Sequence, residues 1–221
     1  MLIMKRIILS IFIASLLFSS CKKDNDTPPP TESVLDYFPL SVGNYWVYER
    51  YGCDSTWTDC TSKSIDTSFI TKDTIIDGNT YFKIEGTSPV GQPSTSFFRD
   101  SLDYIVDNIG NIMFSSTDFD SKLAEEYIIV NETDTAFYWY YQMQKEPYNI
   151  EVDAGTFECL DNQMSFFRHQ DDFEKEFNTH QLFAKEVGPV LKQAMFASST
   201  SGFKQELIGY KIIPEDLKFQ P

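Results

Sequence analysis

Many of the aromatic residues of this chain sit among β-branched neighbours with a spacing of two, and that period favours extended backbone over helix. The aromatic content is high, with 19 Phe, 12 Tyr and 3 Trp against only 10 Gly. The first long strand is expected to begin near Asn44, where Tyr45, Trp46, Val47 and Tyr48 follow one another. Further strands are expected at 64–76, 79–85, 94–99, 103–107, 111–114, 127–130, 135–145, 148–152, 155–162, 164–169, 181–187, 190–196 and 204–213. Asp77-Gly78 accepts positive φ and predicts a tight hairpin between the second and third of these. Helix is expected in two places at most: one turn over 121–126, and a short surface helix over 171–177, where Phe173 and Phe177 stand four apart. Parallel pairing would need helical crossovers that the pattern does not supply. The expected fold is therefore mainly β: a single strongly curved antiparallel meander sheet, half-barrel-like, over residues 36–214, with at most one or two short helices.

The N-terminus reads as an address. Lys5 and Arg6 precede an apolar run over 7–18 that is too short to span a bilayer, and Ser19-Ser20 follow it. Leu16-Leu17-Phe18-Ser19-Ser20-Cys21 resembles a bacterial lipoprotein processing site, with Phe18 where a smaller aliphatic residue is usual. Residues 1–20 then form the signal peptide, and Cys21 becomes the lipidated first residue that attaches the protein to a membrane. An uncleaved N-terminal anchor is the alternative. The charged and triple-proline stretch at 21–35 has nothing to bury and is expected to be a disordered tether. Residues 215–221 are expected to be a C-terminal tail. The expected location is an outer-membrane lipoprotein of a Gram-negative cell, facing the periplasm or the cell surface.

The formal net charge is −15. No cluster of Lys or Arg offers a face to a polyphosphate, so nucleic acid is excluded as a partner. Of four cysteines, Cys21 is assigned to the lipid. Cys53 and Cys60 bracket a six-residue insertion of turn and β residues, where a disulfide is favoured over a metal pair and two free thiols remain a third option. Cys159 is expected to be a buried strand residue.

Three further stretches go together: Phe38-Pro39-Leu40 with Gly43-Asn44-Tyr45-Trp46-Val47-Tyr48, then Ala154-Gly155-Thr156-Phe157-Glu158-Cys159, then Glu186-Val187-Gly188-Pro189-Val190. Their order and spacing resemble a group of bacterial secreted proteins and lipoproteins of unknown function. The resemblance implies a strongly curved antiparallel sheet, similar to the half-barrels of lipoprotein-carrier proteins, and brings no catalytic residues. The residues themselves support an architectural role, since Gly43, Gly155 and Gly188 stand where a chain bends. Trp46 and Tyr48 share one strand face and Tyr45 and Val47 the other, so both faces are expected to be partly covered.

Catalytic patterns are sparse. His169 and His180, the two histidines, have neither helical nor strand spacing for a shared metal, although strands 164–169 and 181–187 can bring them together across a hairpin. No nucleophile elbow, phosphate loop or dinucleotide fingerprint is present. Neither a metal site nor a cofactor is expected. The best candidate binding surface is Phe137, Tyr138, Trp139, Tyr140 and Tyr141: along a strand, Phe137, Trp139 and Tyr141 point one way and Tyr138 and Tyr140 the other. One set is expected to line a concave surface or a sugar-stacking platform, with core packing on both faces the alternative. The sequence thus points to a non-enzymatic binding module for an apolar molecule, a glycan or an envelope protein. A cell-surface hydrolase with carboxylate or histidine chemistry, and a purely structural component, are the competing readings.

Overall fold

A computed structural model describes residues 32–130, 134–196 and 201–214. Cys21, the signal peptide, the tether up to residue 31 and the 215–221 tail lie outside the described residues.

The described chain is one short helix and fourteen antiparallel strands. The helix α1 (Val34–Tyr37) comes first. Strands β1 (Tyr45–Asp54), β2 (Cys60–Ile76), β3 (Asn79–Thr87), β4 (Pro93–Ser101), β5 (Tyr104–Asp107) and β6 (Ile112–Ser115) then lie side by side in sequence order. The second run is β7 (Lys122–Val130), β8 (Asp134–Met143), β9 (Tyr148–Val152), β10 (Gly155–Arg168), β11 (Glu176–Thr179), β12 (Gln181–Ala184), β13 (Gly188–Met195) and β14 (Ser201–Lys211). Its last strand pairs with the first strand of the chain, Trp46 opposite Tyr210. The two meanders therefore wrap round into a nearly closed, barrel-like sheet whose remaining seam lies between β6 and β7.

The β2–β3 hairpin turns at Asp77 (φ 49°) and Gly78 (φ 80°), both in the left-handed region that a tight turn requires. Other local expectations are overridden by tertiary pairing. The segments 155–162 and 164–169 form one continuous strand, β10, whose first half pairs with β9 and β12 and whose second half pairs with β8 and β11. The expected helical turn at 121–126 is instead strand β7, because Leu123 is buried and the backbone pairs with β8. The expected 171–177 helix is broken by left-handed Asp172 and Phe173. A 3-10 turn at His169–Asp171 precedes it, and Phe177 turns inward on β11 to stack on Phe166 at 5.2 Å.

Helix α1 lies just ahead of the Phe38-Pro39-Leu40 segment and is held by a capping box: Leu35 N–H donates to Ser33 Oγ and Ser33 N–H to Asp36 Oδ2, each at 3.2 Å. Four residues of helix do not persist on propensity alone, so packing sustains it. Val34 and Tyr37 are buried, and Phe38 lies between Phe98 at 5.6 Å and Phe183 at 5.7 Å. Phe114 contacts both Phe183 at 4.5 Å and Tyr37 at 6.2 Å. Burial of each such ring contributes on the order of 2 kcal/mol. These rings bring residues of α1, β4, β6 and β12 into one core.

The covering of both faces expected around Trp46 holds unevenly. Trp46 and Tyr48 are fully enclosed, whereas Tyr45 is 40% exposed on the outer face. A disulfide joins Cys53 to Cys60 across the end of the β1–β2 hairpin, and Cys159 is free and buried.

Candidate functional site

Alternation along the strands decides which side chains face the interior. On β1 these are Trp46, Tyr48 and Arg50, which stand opposite Ser68, Asp66 and Ser64 of β2. Trp46 and Ser68 border a cavity of about 190 Å³ within the sheet. Its apolar wall includes Phe38, Trp46, Ile84, Phe98, Met113 and Phe183, and Ser68, Ser94, Ser96 and Lys192 supply polar points.

Lys192 sets the electrostatics of this space. It lies on β13 between Gln181 of β12 and Gln205 of β14, and its Nζ sits 4.5 Å from the centre of the Tyr48 ring. Lys192 is half-buried and is one of the residues that line the cavity. Burial pushes its ammonium down to about 8, against the pull of Asp66 in the opposite direction. Among the described residues no carboxylate pairs with it. Asp66 is committed elsewhere: it takes Arg50 Nε at 3.1 Å, Gln205 Nε2 at 2.8 Å and the Ser64 hydroxyl at 3.1 Å. Gln205 also donates to the Thr87 carbonyl at 3.0 Å, while its own Oε1 is buried without a hydrogen-bond partner.

A second cleft, of about 770 Å³, opens at the seam between β6 and β7. Trp139 and Tyr141 line it together with Leu123, Asn162 and the edge residues Ile112 and Met113. Asn162 Nδ2 donates to the Met113 carbonyl at 2.9 Å and so ties β10 to β6 across the seam. Met113 and Gln181 line both spaces, so these two side chains stand between the cleft and the interior cavity.

The aromatic run is therefore divided as strand geometry requires. Trp139 and Tyr141 face the seam cleft, and Phe137 on the same face of β8 is half-buried. Tyr138 and Tyr140 lie on the outer, convex face, where Tyr138 stacks on Tyr127 at 4.3 Å and both contact Phe167. Lys122 Nζ lies 5.2 Å and 4.7 Å from the Tyr138 and Tyr140 rings. The five residues thus serve two surfaces.

The histidines do not meet across a hairpin. Strand β10 pairs with β11 over 164–167, while β12 pairs with 159–161, so His169 stays at an exposed turn. His180 interrupts the chain between β11 and β12, and its Nδ1 bonds Asp161 Oδ2 at 2.7 Å. No group of three metal-ligating side chains occurs among the described residues. Burial, reinforced by the Asp161 and Glu158 charges, pushes the Cys159 thiol up to about 12, which leaves it without thiolate character.

Lys192 escaped the sequence reading, although a signal was present: it alternates in phase with Val190, which is fully buried. Of the three stretches named above, the first and third meet in space, and the second is bonded to β14. Asn44 Nδ2 donates to the Pro39 carbonyl at 2.9 Å, and Trp46 Nε1 donates to the Val187 carbonyl at 2.7 Å. Ala154 N–H donates to the Leu207 carbonyl at 3.2 Å, which returns the β9–β10 hairpin to β14.

No protein-family model matches the chain, and no curated protein matches it. Two solved structures are similar. One, from Bacteroides fragilis NCTC 9343, is provisionally described as an exported protein with a YmcC-like fold; it is 10% identical, with 80% of this chain and 99% of that one covered, at a TM-score of 0.44. The other is provisionally described as a lipoprotein from Parabacteroides distasonis ATCC 8503; it is 12% identical, with 82% and 100% covered, at a TM-score of 0.42. Likeness this distant carries no functional argument.

Proposed function

We propose that this protein is a lipid-anchored module of the cell envelope that binds a small apolar molecule inside its sheet and does no chemistry on it. The observation that carries this reading is the apolar interior cavity adjoining an open seam, with Met113 and Gln181 between them. A packed structural component would fill such a space, because an empty apolar cavity forfeits contacts on every wall. An apolar wall also suits a hydrocarbon or aromatic body better than a glycan, which would leave its hydroxyls unpaired. Trp139 and Tyr141 line the entrance in this reading, and membrane attachment is through Cys21.

Tryptophan fluorescence tests it, since Trp46 borders the cavity and Trp139 the seam. Small aromatic and aliphatic probes are expected to change the emission of the full chain, and Met113→Trp, which plugs the passage, is expected to block that change. Probe binding unaltered by the plug would move the site elsewhere and end this reading.

The hydrolase reading has one observation in its favour, the buried Asp161 held against His180. A His–Asp pair orients a general base. Among the described residues no serine, threonine or cysteine bonds the other ring nitrogen, and Cys159 is not activated. Labelling of the chain by a fluorophosphonate or an iodoacetamide probe, abolished by His180→Ala, would revive that reading.

A further inference from the structure

We infer that the interior cavity takes a small carboxylate with an apolar body, aromatic or short-chain aliphatic, its carboxylate on Lys192 and its body against Phe38, Trp46, Phe98 and Phe183. This rests on the binding-module reading and adds the ligand's chemical class.

Charge balance is the first argument. The formal charge that acts on Lys192 is Asp66, which is paired with Arg50 at 3.1 Å. Gln205 and Ser64 also donate to Asp66, so its negative charge is already engaged by three donors. Tyr48, the titratable group beneath the ammonium, is held well above its ordinary range by burial and stays neutral. Lys192 therefore brings a positive charge with no carboxylate bonded to it into a space whose other polar lining groups are uncharged. That this happens in a chain of net charge −15 makes it more telling, since acidic partners are abundant everywhere else.

Cost is the second argument. A desolvated ammonium with no anion bonded to it is destabilising, and a lysine stem is long and flexible enough to carry its charge outward. Lys192 instead stays in line with Gln181 and Gln205 under the sheet. Groups held at a cost in a cavity mark a site whose missing partner is a ligand.

Size is the third argument. An apolar cavity of about 150 Å³ holds one benzene ring, so the 190 Å³ here admits a single ring or a short chain with a carboxylate, not a full-length lipid tail.

Calorimetry on the full chain with phenylacetate and hexanoate, against phenylacetamide and hexanamide, tests the assignment. Each carboxylate is expected to bind at least tenfold more tightly than its amide at pH 7. That preference is expected to fade as the pH rises through about 8, where the Lys192 ammonium deprotonates while the ligand stays ionised and the Asp66–Arg50 pair stays charged. Lys192→Met is expected to equalise acid and amide, and Lys192→Arg to keep the preference, with thermal melts verifying that both variants fold. Equal binding of acid and amide by the native chain, or a preference that survives Lys192→Met, would overturn the ligand class and leave the binding module standing. Binding of none of the four probes would overturn both.

Discussion

Trp46 donates its indole N–H to the backbone carbonyl of Val187 at 2.7 Å, across 141 positions of sequence. The same strand repeats the contact one step along, where the Tyr48 hydroxyl donates to the Pro189 carbonyl at 2.9 Å. Between these two acceptors lies Gly188 at φ +98°, and a Cβ there would stand 3.1 Å from the Trp46 ring. The aromatic strand and the glycine turn are thus two halves of one joint, through which β1 fastens the turn between β12 and β13.

Trp46→Phe leaves the Val187 carbonyl without its donor and opens a gap, at an expected cost of about 2 to 4 kcal/mol. Tyr48→Phe keeps the ring and is expected to cost about 1 kcal/mol. Gly188→Ala combines a left-handed backbone with a tight approach to Trp46 and is expected to cost about 1 kcal/mol or more. Urea titration of the three variants should reproduce this order; an inert Gly188→Ala would refute the joint.

Lys192 makes stability depend on pH with a definite sign. Its folded value of about 8 lies below that of an unfolded lysine, so the unfolded chain binds more protons between the two. The penalty is full below pH 8 and disappears as the pH rises toward that of a free lysine. Lys192→Met is expected to stabilise the protein by about 2 kcal/mol at pH 7, with the difference closing by about pH 10.5. Melting both proteins side by side across pH 7 to 10.5 removes the contribution of tyrosines, which is common to the pair. A gap that widens with pH contradicts the buried ammonium.

Reduction of Cys53–Cys60 opens a ring of sequence separation 7. Loop entropy for so small a ring is worth roughly 2.5 kcal/mol at most. Unfolding free energies from denaturant titration with and without reductant should differ by no more than this, with the far-ultraviolet spectrum unchanged. Cys159 is expected to resist iodoacetamide until the chain unfolds, because its thiol is buried and pushed up to about 12. Rapid native labelling of Cys159 would show that the sheet opens there.

Cys21 predicts a chemical species. The mature protein is expected to begin at that residue with acyl chains attached, since each buried methylene adds about 0.8 kcal/mol of membrane affinity. Cys21→Ser is expected to move the protein from the membrane fraction to the soluble one. Intact mass spectrometry that finds residues 1–20 present and no acyl group would remove the anchor.

The strands and their turns were legible in the sequence wherever the determinant is local. Alternation marked β1, β8 and β14, Asp77-Gly78 marked the β2–β3 turn, and Cys53 and Cys60 marked the hairpin end, because side-chain period and turn chemistry act over a few residues. The inward and outward division of Phe137 to Tyr141 followed from the same rule. Tertiary structure alone decided that β14 closes onto β1, that Phe38 packs between Phe98 and Phe183, and that Leu123 belongs to a strand. It also decided that Lys192 faces a cavity whose nearby acid is already paired with Arg50. Each of these depends on residues far apart in sequence meeting in a particular register, and one step of register exchanges a strand's interior face for its exterior one.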